Sequence, residues 1–173
     1  MIEFILSIMA SLIAAVAFLL WRNSFTPKLD ISNVIAHGKD FEQPCYLIKV
    51  INLRHRPIFN IKAEMFVATV FQKQEGQEEH TKQIHLKKSV IVQLSPYLSS
   101  WSEYPDHIWR FVTYEDIPSL LNENTNHYVK IIVSGYDSIS GKGLTFFKRY
   151  TFDDIKEGSF YADNRLDVKS ANK

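Results

Sequence analysis

The sequence predicts an all-β domain, a β-sandwich, carried on a single N-terminal membrane-spanning helix. Three observations lead there. From Phe4 to Trp21 the chain holds no charged side chain and no proline. After Lys28 it breaks into short runs rich in β-branched and aromatic residues, separated by turn residues. Beyond the N-terminal run, only one brief stretch reads as helix.

At about 1.5 Å of rise per residue, the Phe4–Trp21 run makes a helix long enough to cross a bilayer core. A secretory signal peptide would carry Lys or Arg before the run and small residues at a cleavage site after it. Here only Glu3 precedes the run, and Leu19, Leu20, Trp21 and Arg22 close it. The reading is therefore an uncleaved anchor over residues 1–22. Arg22 and Lys28 follow the helix, so the positive-inside rule puts the N-terminus outside and the β domain in the cytoplasm, with Trp21 at the interface. Residues 23–28 form a polar connector containing Pro27.

The β domain is expected over 29–168, followed by a polar tail, 169–173. Its first strand is Leu29–Ala36, where the alternation is poor. Tyr46–Leu53 and Ile58–Phe71 follow, with Ile61, Ala63 and Met65, and Phe59 with them, pointing one way. Gln72–Lys82 is polar throughout and reads as an exposed hairpin loop. Gln83–Leu94 and Tyr128–Tyr136 are further strands, and Leu144–Phe152 pairs back across Asp137–Gly143. The short helix is placed at Tyr114–Leu121, with Thr113 as its N-cap and Asp116 three positions on in a capping-box variant. Many short strands with one brief helix describe a sandwich.

Composition narrows the function classes. The chain has 173 residues and a formal net charge of +1. That length bounds the part beyond the anchor to one domain large enough to bury a core. The balanced charge gives no electrostatic case for a nucleic-acid partner. Cys45 stands alone, so no internal disulfide forms and no nucleophile signature surrounds it. His37, His55, His80, His85, His107 and His127 lack metal-ligand spacing and read as lone surface or turn histidines. Ser140-Gly141-Lys142-Gly143 superficially resembles a phosphate loop, but it lies between two strands and lacks the Lys-Ser/Thr order, so it reads as a hairpin turn. Asp153 and Asp154 are adjacent, would face opposite ways in a strand, and begin a turn. No enzyme, metal or cofactor is expected.

The stretch YLIKVINLRHRPIFNIKAEMFVATV, Tyr46 to Val70, resembles the early strands of the cytoplasmic domain of inward-rectifier potassium channels: an apolar strand, an N-x-R turn, then an Ile/Val-rich strand. VKIIVSGYDSISGKGLTFFKRYTFDDIKEG, Val129 to Gly158, is similar to that family's hairpin and its Tyr-x-x-x-acidic-acidic-Ile element. LSPYLSSWSEYPDHIW falls where the family has a Ser-Pro loop before a short helix. The resemblance spans about Lys28 to Val168. It implies an immunoglobulin-like sandwich that assembles as a tetrameric ring beneath the membrane and senses ligands. It also departs from the family. There is one membrane helix and no filter sequence, which excludes a potassium-selective channel working by the family's mechanism. Lys156, Glu157 and Gly158 stand where the family has Trp-Gly-His, which puts that tryptophan's contacts between subunits in doubt.

Two features suggest function. Ser7, Ser11 and Ala15 recur every four residues, as do Ala10 and Ala14, which gives the helix a small-residue side suited to packing against another helix. Ala and Ser are also common in apolar helices for no such reason. The second feature is the basic set Arg22, Lys28, Arg54, His55 and Arg56. In the resembled family, basic residues just after the last helix bind a phosphoinositide or other anionic lipid, and Arg22 and Lys28 occupy the matching place. Positive-inside anchoring accounts for these two equally well, and Arg54–Arg56 fits a solvated loop. The expected function is a membrane-anchored, oligomeric sensing or interaction module, a tetramer by the resemblance, with membrane lipid and an unidentified ligand or protein as partners. The alternative is a membrane effector whose helices cluster to permeabilise the bilayer, as in bacterial defence or stress responses.

Overall fold

The computed structural model describes residues 2–23, 26–73, 76–98, 105–121, 126–137 and 140–169. The fold is all-β with an N-terminal helix. Helix α1 (Ile2–Asn23) is long and apolar enough to cross a membrane, and none of its apolar window is buried against the rest of the chain.

The strands form two five-stranded sheets. In the first, β3 (Gln43–Asn52) is flanked on one side by β1 (Leu29–Ile31) and β2 (Ile35–Asp40) and on the other by β7 (Ile108–Thr113); β10 (Ile155–Glu157) adds parallel to β2. In the second, β4 (Ile58–Lys73) pairs with β5 (Gly76–Ile84), β6 (Val90–Leu94) and β8 (His127–Asp137), and β9 (Gly143–Tyr150) closes the far edge. A small ribbon of β11 (Ser159–Phe160) and β12 (Val168–Lys169) follows.

Apolar side chains from both sheets make one core, including Ile48, Val50 and Phe111 from the first and Ile61, Met65, Ile131 and Tyr150 from the second. Ala63, Met65 and Val67 alternate inward along β4, as a half-buried strand requires. The inward direction expected for Ile61, Ala63 and Met65 is the one observed, whereas Phe59 is only half-buried, because the β4–β8 register shifts between Phe59 and Lys62.

Several expectations are corrected. Leu29–Ala36 is two strands, because the chain bends at Ser32: its hydroxyl donates to the Val34 carbonyl at 2.8 Å and accepts the Lys49 amide at 3.2 Å, replacing a regular ladder. Most of Gln72–Lys82 is strand β5, and β4 continues past Phe71 to Lys73. This polar arm extends beyond the core and is held by backbone pairing, so no hydrophobic alternation marks it. Gln83–Leu94 is interrupted between Ile84 and Val90, where the chain leaves β4 and the Lys87 amide donates to Val112 on β7 at 2.8 Å. Strand β7 itself was not expected, since the Ser/Pro-rich stretch before it reads as loop; part of that stretch, 99–104, lies outside the described residues.

The short helix α2 runs only from Ile117 to Leu121. Thr113 does not cap it: its hydroxyl takes the Glu115 amide at 3.2 Å, and the Asp116 carboxylate accepts from the Tyr46 hydroxyl at 3.3 Å. His107 is buried rather than at the surface, with Nε2 2.6 Å from Asn164 Oδ1. The Ser140–Gly143 segment does join β8 to β9, with Gly141 at φ +66, and Phe152–Asp154 is a single 3-10 turn. Lys169 lies in β12 instead of a tail; 170–173 are outside the described residues.

Candidate functional site

The end of the β domain nearest α1 in sequence is organised by one asparagine. Asn52, fully buried at the end of β3, donates through Nδ2 to the carbonyls of Arg56 at 2.7 Å and Ser95 at 2.8 Å, while its Oδ1 accepts the Arg54 amide at 2.9 Å. A buried amide with its groups satisfied in this way fixes the turn from Leu53 to Pro57. The Leu53 amide then donates to the Lys28 carbonyl at 2.9 Å, tying the turn to the segment that follows the helix. Tyr97 supports it from behind: its amide donates to the Arg54 carbonyl at 2.7 Å, and its ring meets His55 edge-on at 6.0 Å.

The result is a cavity of about 320 Å³ lined by Thr26 and Pro27, by Arg54, His55, Arg56 and Pro57 of the turn, and by Asp137. Arg54 and His55 are exposed. Arg56 is half-buried, its Nε 3.1 Å from a carboxylate oxygen of Asp137, whose side chain is only 5 % exposed. The other Asp137 oxygen accepts the Ser140 amide at 2.7 Å, so the same carboxylate fixes the β8–β9 turn. The cavity thus offers an unburied guanidinium and an imidazole beside an arginine already oriented by an acid. Such a set recognises an anion through charge-assisted hydrogen bonds.

Of the basic residues singled out in the sequence, Arg54 and Arg56 line one cavity, and Lys28 is exposed beside it through the bond from Leu53. Arg22 lies in the last turn of α1, separated from Lys28 by 24–25, which are outside the described residues. The Arg54–Arg56 turn is more than a solvated loop, since Arg56 is engaged by Asp137. Ser7, Ser11 and Ala15 all lie on α1 and are exposed.

Sequence reasoning missed Asp137, whose role depends on the β8–β9 turn meeting the β3–β4 turn in space. It also missed Lys49, the one charge inside an apolar run. Lys49 is fully buried, and its ammonium donates to the carbonyls of Tyr161 at 2.9 Å, Asp163 at 2.5 Å and Arg165 at 2.6 Å. Burial and the neighbouring Arg110 push its pKa down to about 8, against a pull upward from Asp163.

A larger cleft of about 660 Å³ opens between β6 and β7, walled by Gln93, Asp106, Trp109 and Arg110 among others. It mixes both charge signs and contains none of the predicted basic residues. Trp109 Nε1 and His107 Nδ1 are buried without a partner among the described residues. Among the described residues no group of three or more His, Cys, Asp or Glu gathers in a way that suits a metal ion.

No protein-family model matches this chain, and no curated protein matches it. Among solved structures, one weak match is the crystal structure of Spo0M, a sporulation control protein from Bacillus subtilis, at 13% identity and a TM-score of 0.38. The match covers 76% of this chain and 49% of that one, so the chain spans about half of that protein's length.

Proposed function

We propose that this chain is a membrane-anchored, self-associating binding module, an immunoglobulin-like sandwich resembling the regulatory domain of inward-rectifier potassium channels, that takes an anionic headgroup next to its anchor. The cavity that joins Thr26 and Pro27 to the Arg54–Pro57 turn is the observation that carries this reading. It follows the membrane helix by a few residues, where anionic lipid attracts basic side chains by about 1 kcal/mol each. Arg54 and Lys28 supply the exposed charge, and Arg56 the oriented one. The reading includes no catalytic step, no nucleic-acid partner and no ion conduction through a filter. It places the sandwich in the cytoplasm, so a reporter fused after Lys173 should give a cytoplasmic signal.

The test is native mass spectrometry of the full-length protein in mild detergent with a short-chain phosphoinositide and with a zwitterionic lipid of equal chain length. The phosphoinositide should add to the native chain, and Lys28→Glu/Arg54→Glu should reduce that adduct about tenfold. Equal adducts in native and variant chains would remove the site.

The exposed α1 with its Ser7, Ser11 and Ala15 side favours one second reading, a permeabilising effector. It predicts dye leakage from cells expressing the full chain that disappears when Ser11 and Ala15 become leucine. The binding-module reading predicts no leakage.

A further inference from the structure

The outer face of the β5–β4–β8–β9 sheet is not the polar surface that a two-layer β fold usually turns to water. The register of β4, β8 and β9 fixes its rows. Glu64, Ile132 and Phe147 lie side by side, and in the next row Phe66, Lys130 and Arg149. Phe147 is 63% exposed, and Phe66 and Ile132 are only half-covered. An apolar strip that runs from the two central strands, at Phe66 and Ile132, to Phe147 on the β9 edge, with charges around it, suits an interaction surface.

The charges are unevenly placed. Lys130 and Arg149 are on β8 and β9, with the Lys130 ammonium 5.9 Å from the Phe147 ring centre. On the opposite half, β4 carries Glu64 beside Lys62, paired at 2.6 Å, and β5 carries Glu79, which meets the Tyr128 hydroxyl. One half is basic by two charges and the other is acidic by one. The two halves lie within about 15 Å of each other, three strand spacings.

We infer that this face is where a second copy of the chain docks, related by a two-fold axis running along the strands. That axis lays β8 and β9 of one copy over β4 and β5 of the other. Lys130 and Arg149 then face the acidic half, and the apolar strips meet at the centre. A two-fold interface demands a surface complementary to itself, and a face basic on one side and acidic on the other meets that demand. The axis also keeps both anchors at one end, because β4 leads away from Pro27 and the Arg54–Pro57 turn. Glu64 and Glu79 oppose contact with an anionic bilayer, which selects a second copy over lipid as the occupant. Tethering in one membrane raises the effective concentration of the pair.

This inference rests on the self-association in the proposed function, and the experiment separates the two. Full-length protein in mild detergent is followed by light scattering over a dilution series. The native chain is compared with Lys130→Glu/Arg149→Glu, with Glu64→Lys/Glu79→Lys, and with an equimolar mixture of the two variants. Each variant alone should associate about tenfold more weakly, and the mixture should recover most of the loss, because opposite halves again face each other. The neutral variant Phe147→Ser should weaken association without changing the circular dichroism spectrum. A native oligomer unmoved by either reversal, or a mixture no tighter than its components, overturns the docking face while self-association stands. A native chain with the mass of one copy throughout overturns both.

Discussion

Lys49 illustrates how one residue is decided by what lies far along the chain. Its neighbours in β3, Ile48, Val50 and Ile51, are buried apolar side chains, and a lysine among them carries a desolvation penalty unless its ammonium finds acceptors. Three carbonyls of the segment after β11 supply them, so this side chain, together with Arg110 and His107, holds the 161–165 turn against the first sheet. Lys49→Met should lower stability by about 2 kcal/mol, because the carbonyls lose a charged donor. Amide exchange should rise across 160–166, and unchanged protection there would remove the clamp. The pH dependence has a definite sign. With a folded pKa near 8, below the ordinary lysine value, the unfolded chain binds the extra proton between pH 8 and 10. Stability therefore rises with pH in that window and is lost as pH falls through 8. The Tyr46 and Tyr150 hydroxyls are pushed up by burial, Tyr46 to about 12, and reverse the trend above pH 10. A urea unfolding series from pH 7 to 10 on native protein and Lys49→Met checks this: the rise with pH should vanish in the variant, leaving the fall that the buried Cys45 thiol, its pKa pushed up by burial, contributes towards pH 10.

At the scale of elements, the β3–β4 turn is the piece that lines the candidate site. Its sequence, Asn-Leu-Arg-His-Arg-Pro, announces a turn, yet the turn's rigidity comes from Asn52 reaching Ser95 on a different segment. Asn52→Ala removes three hydrogen bonds at a buried position, which should lower stability by about 3 kcal/mol. It should also weaken phosphoinositide adducts severalfold while every basic side chain is still present; undiminished binding would detach the site from the turn. The β2–β3 turn makes the opposite point. Phe41 and Glu42 adopt φ of 49° and 71°, although neither is a glycine or asparagine, so no turn signal marks them. Strand β5 is similarly silent in the sequence, because backbone pairing to β4 and not burial holds it.

For the whole molecule, the proposed self-association would draw on a helix seam and a domain face. Helix α1 has no apolar partner among the described residues of its own chain. Small residues every four positions allow a second helix to approach closely. Ser11→Leu/Ala15→Leu should weaken the full-length oligomer about tenfold in detergent and leave the melting of the β domain unchanged, since the added bulk falls on the helix. Unaltered association in that variant would assign self-association wholly to the β domain. Combining the helix change with Lys130→Glu/Arg149→Glu should lower association by the product of the two effects, as expected for separate surfaces.

The N-terminal helix, long and apolar enough to cross a membrane, was determined by the sequence alone, because an uninterrupted run of uncharged residues is a local property whatever follows it. So were the all-β class and the inward faces of β4, where alternation of apolar residues is a local property. Strands β5 and β7, the bend at Ser32 and the short reach of α2 were decided only in the folded chain, since each depends on hydrogen bonds to partners distant in sequence. The basic residues of the candidate site were legible as a list, but their convergence was not. Arg54 and Arg56 become one cavity with Thr26 and Pro27 because Asn52, Asp137 and the Lys28 carbonyl come from separate segments, and only tertiary packing brings those within hydrogen-bonding distance.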